Sequence, residues 1–311
     1  MKKLSLLLFV GLLVGLTYQA KAQFISKEEL IFLTSEWTGE RFPDGRPKIP
    51  DEYIERAKKI GLDEAWQILN NRGYTQQFDG NFKMIYDDIP VVGRAVTATF
   101  LPSRPDLEKS IKDRGWSKEY GFMGNTNSWP IQVLQKGDVY VASCFGKIEA
   151  GTMIGDMLAT SIFSKTGTGV IFDAAARDIR GILKFVPGFN VYVRDWHPSF
   201  LKDVVLTGLN TPTRIGNAIA MPGDLVISDR SGVLFIPAHM VKQVLDVAEF
   251  LDRRDTYSRH VLRTGKFQSG QIDAEWTNEI KEDFLSWLRE NPSMGSMTRA
   301  ELDKIMQERT W

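Results

Sequence analysis

The spacing of apolar residues changes character twice along the chain, from helical to extended and back. Between Ser26 and Asn70 the period is helical but interrupted. Ser26-Lys-Glu-Glu29 reads as a capping box opening a helix through about Phe32. Pro50 leads a second helix over residues 51–60. A third is predicted from Leu62 to Asn70, with Trp66 and Leu69 on its buried face. Glu40 to Pro50 is a Gly/Pro-rich connector. From Val91 onward, runs rich in β-branched residues predict strands at 92–100, 137–142, 170–172, 188–193, 213–216 and 218–220. Pro222 to Ile236 reads as a hairpin turning at Asp229-Arg-Ser-Gly232. Pro102 and Pro105 end the first strand, and residues 106–130 read as a polar connector with a helical piece near 107–113. After Pro237 the helical period returns, with Val241, Val244, Leu245 and Ala248 on one face as far as about Arg253. Trp276, Ile280, Phe284 and Trp287 mark another helical face within 273–290, and Thr298-Arg-Ala-Glu301 caps a last helix. Strands at 92–236 broken by only one or two helices do not make a regular doubly wound pattern. They predict a compact β-rich core with helices packed on it, an α/β (α+β) class of fold.

One stretch concentrates candidate chemistry. Gly151-Thr-Met-Ile-Gly155-Asp156 turns into a helix predicted over 156–165, ended by Gly167-Thr-Gly169. The strand at 170–172 follows, and then Arg177-Asp178. An acid at a helix start and an Arg-Asp pair beyond the next strand are thereby predicted to face one cleft. Free N–H groups at a helix N-terminus receive a carboxylate or phosphate, arginine clamps the same anion bidentately, and two aspartates offer hard oxygens to a divalent cation. Arg-Asp pairs alone carry little weight, since Arg194-Asp195 and Arg254-Asp255 are others. The full pattern Gly-x3-Gly-Asp-x20-Arg-Asp is far more specific.

Composition adds exclusions. At 311 residues, 43% hydrophobic and 25% charged, the chain can bury a sizeable core. Its formal net charge is zero with no block of like charge, which argues against a dedicated nucleic-acid binder. Met1-Lys2-Lys3, an apolar run from Leu4 to Leu16, and Ala20-Lys21-Ala22 predict a cleaved signal peptide over residues 1–22 and export, to the periplasm, with no stable membrane anchor afterwards. Residues 23–60 are then an N-terminal helical arm, 61–253 the domain that carries the candidate chemistry and 254–311 a helical extension. Cys144 is the single cysteine, so no intrachain disulfide forms; at the end of an apolar strand it reads as a buried, inert thiol. His197 and His239 read as turn and surface residues, and no His-x3-His or cysteine pair suggests zinc.

Gly93-Arg-Ala-Val-Thr, Gly137-Asp-Val-Tyr-Val, the gapless Gly151 to Asp178 signature, Val191-Tyr-Val-Arg-Asp-Trp-His-Pro198 and Pro222-Gly-Asp-Leu-Val-Ile-Ser228 together resemble the RraA-like family, which includes class II pyruvate aldolases acting on 4-hydroxy-4-methyl-2-oxoglutarate. The resemblance spans roughly residues 60–250. It implies a β/β/α swivelling, phosphohistidine-like domain, assembled as a homotrimer or homohexamer. It implies that Asp178 binds a divalent metal, Mg²⁺ or Mn²⁺, that Asp156 holds a water of that metal, and that Arg177 grips a pyruvate-like carboxylate with the backbone of Gly155, Asp156, Met157 and Leu158. The implied activity is carbon–carbon cleavage or decarboxylation of a small 2-keto acid through a stabilised pyruvate enolate. A metal there replaces the lysine of a Schiff-base aldolase. The family also includes a regulator of an RNA-degrading enzyme, so a non-catalytic binding protein is the alternative. Ser143-Cys-Phe-Gly146 is bulkier than the family's Gly-rich stretch before the signature.

Overall fold

The computed structural model describes residues 25–308. The predicted signal peptide lies outside them. Helices α1 (Lys27–Leu33), α2 (Asp51–Ala57) and α3 (Leu62–Asn70) precede the short strand β1 (Phe78–Asp79) and β2 (Gly93–Pro102). Helices α4 (Pro105–Gly115) and α5 (Trp129–Val133) follow, then β3 (Asp138–Thr152), α6 (Asp156–Thr166), β4 (Val170–Ala176) and α7 (Ile179–Phe185). Strands β5 (Val191–Tyr192), β6 (Asp195–Trp196), β7 (Val204–Leu209), β8 (Thr213–Ile215), β9 (Ala218–Ala220), β10 (Leu225–Asp229) and β11 (Gly232–Ile236) lead to α8 (Val241–Thr264), α9 (Ser269–Ile272), α10 (Asn278–Glu290) and α11 (Arg299–Glu308).

Within the described residues, one nine-stranded mixed sheet orders as β1-β11-β10-β2-β3-β4-β5, with β6 beside β4 and β7 beside β2. Strands β2 to β5 run parallel, and β10, β11 and β7 are antiparallel to their neighbours. Alternation of side chains across the pleat sends Tyr140, Ala142, Phe172 and Ala174 into a core shared with α5, α6 and α7. Val139, Val141 and Ile171 face the other way, against Ile215, Ala218 and Ala220 of the β8-β9 hairpin. Helix, sheet and hairpin therefore stack as α/β/β layers. A third apolar cluster joins α2 and α3 to α8 and α10 through Ile68, Leu69, Val244, Phe250 and Phe284.

Several elements depart from the sequence pattern. Trp66 is 39% exposed. The buried face of α3 is Leu62, Ala65, Ile68 and Leu69, and at 3.6 residues per turn Trp66 sits roughly 90° round from its centre. Helix α8 continues past Arg253 to Thr264, where Gly265 takes the left-handed cap conformation (φ 70°). Helix α2 stops at Ala57, and β3 runs on to Thr152 across two register shifts.

Candidate functional site

Strands β3 and β4 end side by side, and the two halves of the signature leave the sheet together. Met153 N–H donates to Ala175 O at 2.8 Å and Arg177 N–H to Ile154 O at 3.1 Å. Asn127 Nδ2 donates to Met153 O at 2.7 Å and fixes the same turn from α5's side. Helix α6 then starts at Asp156 with Gly155 as its N-cap and no side-chain cap. The first bond back into the helix start, Ala159 N–H to Gly155 O, is 3.0 Å long. Helix geometry leaves the N–H groups of Asp156, Met157 and Leu158 without an intrahelical acceptor, at the positive end of the helix.

Gly155 has an ordinary extended φ of −121°, so its glycine serves space rather than backbone freedom. A Cβ there would lie 2.3 Å from Asp178 Oδ2 and 3.2 Å from Arg177 Nε. Gly181 does the same for the other acid, since its Cβ would fall 2.4 Å from Asp156 Oδ2. Asp178 sits in the left-handed region (φ 61°, ψ 39°), which aspartate tolerates better than most residues. It occupies the N-cap position of α7 without accepting a capping bond, so its carboxylate faces the cleft. Arg177 Nε stands 3.5 Å from Asp178 Oδ2, a loose pair with side chains 31% and 41% exposed. The Phe200 ring lies 4.5 Å from Arg177 Cζ and supports the guanidinium plane while leaving its donors to an anion.

These groups open into a cleft of about 510 Å³, the size of a small-molecule site. Glu108, Lys112 and Lys202 line it together with the polar run 125–128. Each predicted site residue, Gly155, Asp156, Met157, Leu158, Arg177 and Asp178, lines this one cleft. The Met157 side chain points outward, 80% exposed. Gly181 and Phe200 were not legible: the helix containing Gly181 gave no strong period, and Phe200 falls in a polar bend. The run Asn125-Thr-Asn-Ser128 is legible only as part of the polar connector 106–130.

The acidic donors suit a hard cation that keeps most of its water. Among the described residues no three His, Cys, Asp or Glu side chains are grouped as a metal cage. One or two carboxylates with waters completing the shell is the usual way Mg²⁺ is held, and the Asp178 carboxylate cradled over Gly155 fits that arrangement.

Other candidates stand apart. Cys144 is buried, and burial pushes its thiol up to about 12, consistent with an inert core residue. His197 Nδ1 is engaged with the Ser199 hydroxyl at 2.8 Å and accepts from Ser199 N–H at 3.2 Å. His239 pairs through Nε2 with Tyr74 Oη at 2.9 Å, well away from the cleft. Arg194 is a structural hub between Asp79 and Asp173. No helix among the described residues is long and apolar enough to cross a membrane.

A family model described as RraA-like, Aldolase/RraA, matches residues 49–235. An uncharacterized protein of Methanocaldococcus jannaschii is 23% identical over 145 residues, 45% of this chain and 69% of that protein. The crystal structure of Streptomyces coelicolor RraAS2, titled an unusual member of the RNase ES inhibitor RraA protein family, superposes with a TM-score of 0.57 at 22% identity, covering 69% of this chain and 98% of that one. An uncharacterized Pseudomonas syringae pv. tomato protein gives 0.58 at 18% identity, covering 73% and 100%. These two structures share the fold.

Proposed function

The chain belongs to the RraA-like family, and from that premise we propose that it is a divalent-metal-dependent carbon–carbon lyase, cleaving or decarboxylating a small 2-keto acid to pyruvate. The family holds lyases and RNase inhibitors alike, so the reading rests on this chain's own site. The observation that carries it is the convergence, in one cleft, of Arg177, the free N–H groups of α6, and the Asp178 carboxylate over Gly155.

Arg177 and the N–H groups of Asp156, Met157 and Leu158 bind the carboxylate of the keto acid from two sides, which fixes the orientation of the neighbouring ketone. Asp178 is the residue that would hold Mg²⁺ or Mn²⁺. When bound, the ion supplies Lewis-acid charge beside the keto oxygen, where negative charge grows as the carbon–carbon bond breaks. Asp156, seated against Gly181, orients water at the same spot and is the proton acceptor and donor for the departing fragment and the pyruvate carbon.

The same proposal places the mature protein outside the cytoplasm, supported by the basic-apolar-small pattern of residues 1–22. It also makes the protein a homotrimer or homohexamer, supported by the exposed apolar side chains Met157, Ile179, Phe185 and Phe200 around the cleft region.

The test is pyruvate release from oxaloacetate and from 4-hydroxy-4-methyl-2-oxoglutarate, with Mg²⁺ or Mn²⁺ and with chelator. Metal-dependent turnover that disappears in Arg177→Ala and Asp178→Ala is the expected result. A folded wild type that turns over neither substrate would sink both activities and favour a non-catalytic binding or regulatory protein.

A further inference from the structure

The second polar cleft of interest lies on the hairpin side of the sheet, away from α6 and α7. Asp173 and Ser143 form its floor, two residues beyond Ile171 and Val141 on the same face of β4 and β3. Its volume is about 480 Å³, again that of a small-molecule site. Two of the described non-glycine residues with left-handed backbone line it, Asn81 (φ 60°) and Phe145 (φ 45°). Asparagine accepts that conformation readily, whereas phenylalanine is strained in it. Core packing does not account for Phe145, which is 47% exposed. Strain of this kind collects at ligand sites, where the side chain's position is what is retained.

The cleft's polar groups divide into committed and uncommitted sets. Arg194 is committed: it donates to Asp173 Oδ1 at 2.7 Å, to Gly80 O at 2.7 Å and to Asp79, and stacks 4.1 Å over Phe82. Among the described residues, Asp173 Oδ2, the Ser143 hydroxyl, the side-chain amides of Asn81 and Asn217, and the terminal nitrogens of Arg214 make no hydrogen bond. The charges balance, with Asp79 and Asp173 set against Arg194 and Arg214. With its charges balanced, such a lining does not select for a phosphate or for a divalent cation. A neutral molecule with many hydroxyls does, because each hydroxyl both donates and accepts, and the uncommitted set offers both kinds of partner. An exposed aromatic ring at the rim supplies an apolar face for a pyranose ring.

We propose that this cleft, formed by Phe145, Asn81, Asn217, Asp173, Ser143 and Arg214, is a binding site for a neutral sugar, separate from the Arg177–Asp178 cleft. The sugar stacks on Phe145 and hydrogen-bonds Asp173, Arg214 and the two asparagines. The proposal stands on its own geometry and does not depend on the lyase reading.

Calorimetric titration of the full mature chain with D-glucose, D-xylose and their β-1,4-linked disaccharides tests it, with sodium phosphate and MgCl₂ as charged probes. At least one saccharide is expected to bind. Phe145→Gly and Asn217→Ala each weaken that binding more than tenfold, and Arg177→Ala leaves it unchanged. Phe145→Gly is also expected to keep or raise the melting temperature, because glycine adopts this backbone without strain. No saccharide binding by the folded wild type overturns the proposal. So does binding that survives in Phe145→Gly, or binding lost in Arg177→Ala, which would move the sugar to the other cleft. Dissociation of the assembly by Phe145→Gly with saccharide binding intact would instead assign the ring to a contact between copies.

Discussion

The dipeptide Gly-Asp opens three elements of this chain, and the structure uses it in two different ways. At Gly137-Asp138 and Gly223-Asp224 the glycines take left-handed backbone (φ 80° and 86°). In both turns the aspartate N–H donates to the carbonyl three residues back at 3.1 Å. Its carboxylate accepts the N–H of that same residue, Gln135 at 3.0 Å and Met221 at 2.8 Å. Both carboxylates are buried. At Gly155-Asp156 the glycine is extended and the acid is half-exposed at the head of α6. There the missing Cβ makes room for Asp178 and Arg177. The first kind of Gly-Asp closes a turn on itself, and the second holds a carboxylate open to a cleft. Burial and backbone conformation, not residue identity, separate an acid closed on its own turn from one open to a cleft.

The two buried turns also differ from each other, and that difference gives the largest expected effects. Asp138 meets Arg46 of the N-terminal connector at 3.3 Å and Arg94 of β2 at 3.7 Å, all three nearly inaccessible to solvent. Burial raises its carboxyl, with Arg46 the largest opposing influence. Asp138→Ala removes the one buried counter-charge that Arg46 and Arg94 share, leaving each its more exposed partner, Asp44 and Asp51, and is expected to cost about 3 kcal/mol, the lower end for breaking a buried pair, read by denaturant unfolding of the full chain. A loss below about 1 kcal/mol would make the turn dispensable and break the comparison. Among the described residues Asp224 has no cation beside it, and burial pushes it up to about 7. The folded protein therefore keeps a proton that the unfolded chain releases above its ordinary pKa near 4. That contribution to stability is complete below about pH 4 and fades as pH rises through 7. Asp224→Asn, whose side-chain oxygen still accepts from Met221 N–H, is expected to remove about 3 kcal/mol of this dependence between pH 5 and pH 8. Melting curves at pH 5 and pH 8 check it; wild type and variant falling in parallel would show that Asp224 is ionised in the fold. Arg177→Ala is expected to reverse the pattern, with turnover down by about 10²–10³ and stability within about 0.5 kcal/mol of wild type. Large destabilisation would place Arg177 among the structural arginines.

The parts of the fold that were legible follow strong local signals. Helix α6 begins at Asp156 and ends before Gly167, which adopts the left-handed cap conformation (φ 68°). Its bounds lie within one residue of the sequence expectation, because a turn glycine and a cap glycine mark them. The pairing of Asp229 with Gly232 across the β10-β11 turn likewise matches the hairpin signal. The convergence of Asp156, Arg177 and Asp178 was legible because one strand and one helix of known length separate them. Helix α7 was not, since it is short and carries Gly181 in its first turn. The sequence pattern marks strand β3 only as far as Ala142, because its register shifts after Ser143 and again after Lys147 interrupt the alternation that betrays a strand. Phe200 reaches Arg177 from a bend whose sequence gives no period, so tertiary packing alone assigns it.

The smallest effects test how tightly the cleft-facing Gly-Asp is built. Gly155→Ala leaves every charged group in place but drives a methyl to 2.3 Å from Asp178 Oδ2, too close for any side chain to tolerate. The carboxylate has to swing away, and Mg²⁺ affinity, measured calorimetrically, is expected to weaken by about 10–100-fold, the range seen when ligand positioning is disturbed. Unchanged affinity would mean that Asp178 does not hold the ion from this position. Phe200→Leu is gentler still. It removes the ring 4.5 Å from Arg177 while keeping apolar bulk at the rim, and an exposed cation–π contact contributes about 0.5–1 kcal/mol. A rise in KM of about two- to fivefold with kcat nearly constant is expected, since the ring steadies the guanidinium before and during reaction alike. A drop in kcat with KM unchanged would show instead that the ring acts only as the bond breaks, and would move Phe200 from supporting Arg177 to shaping the reacting end of the cleft.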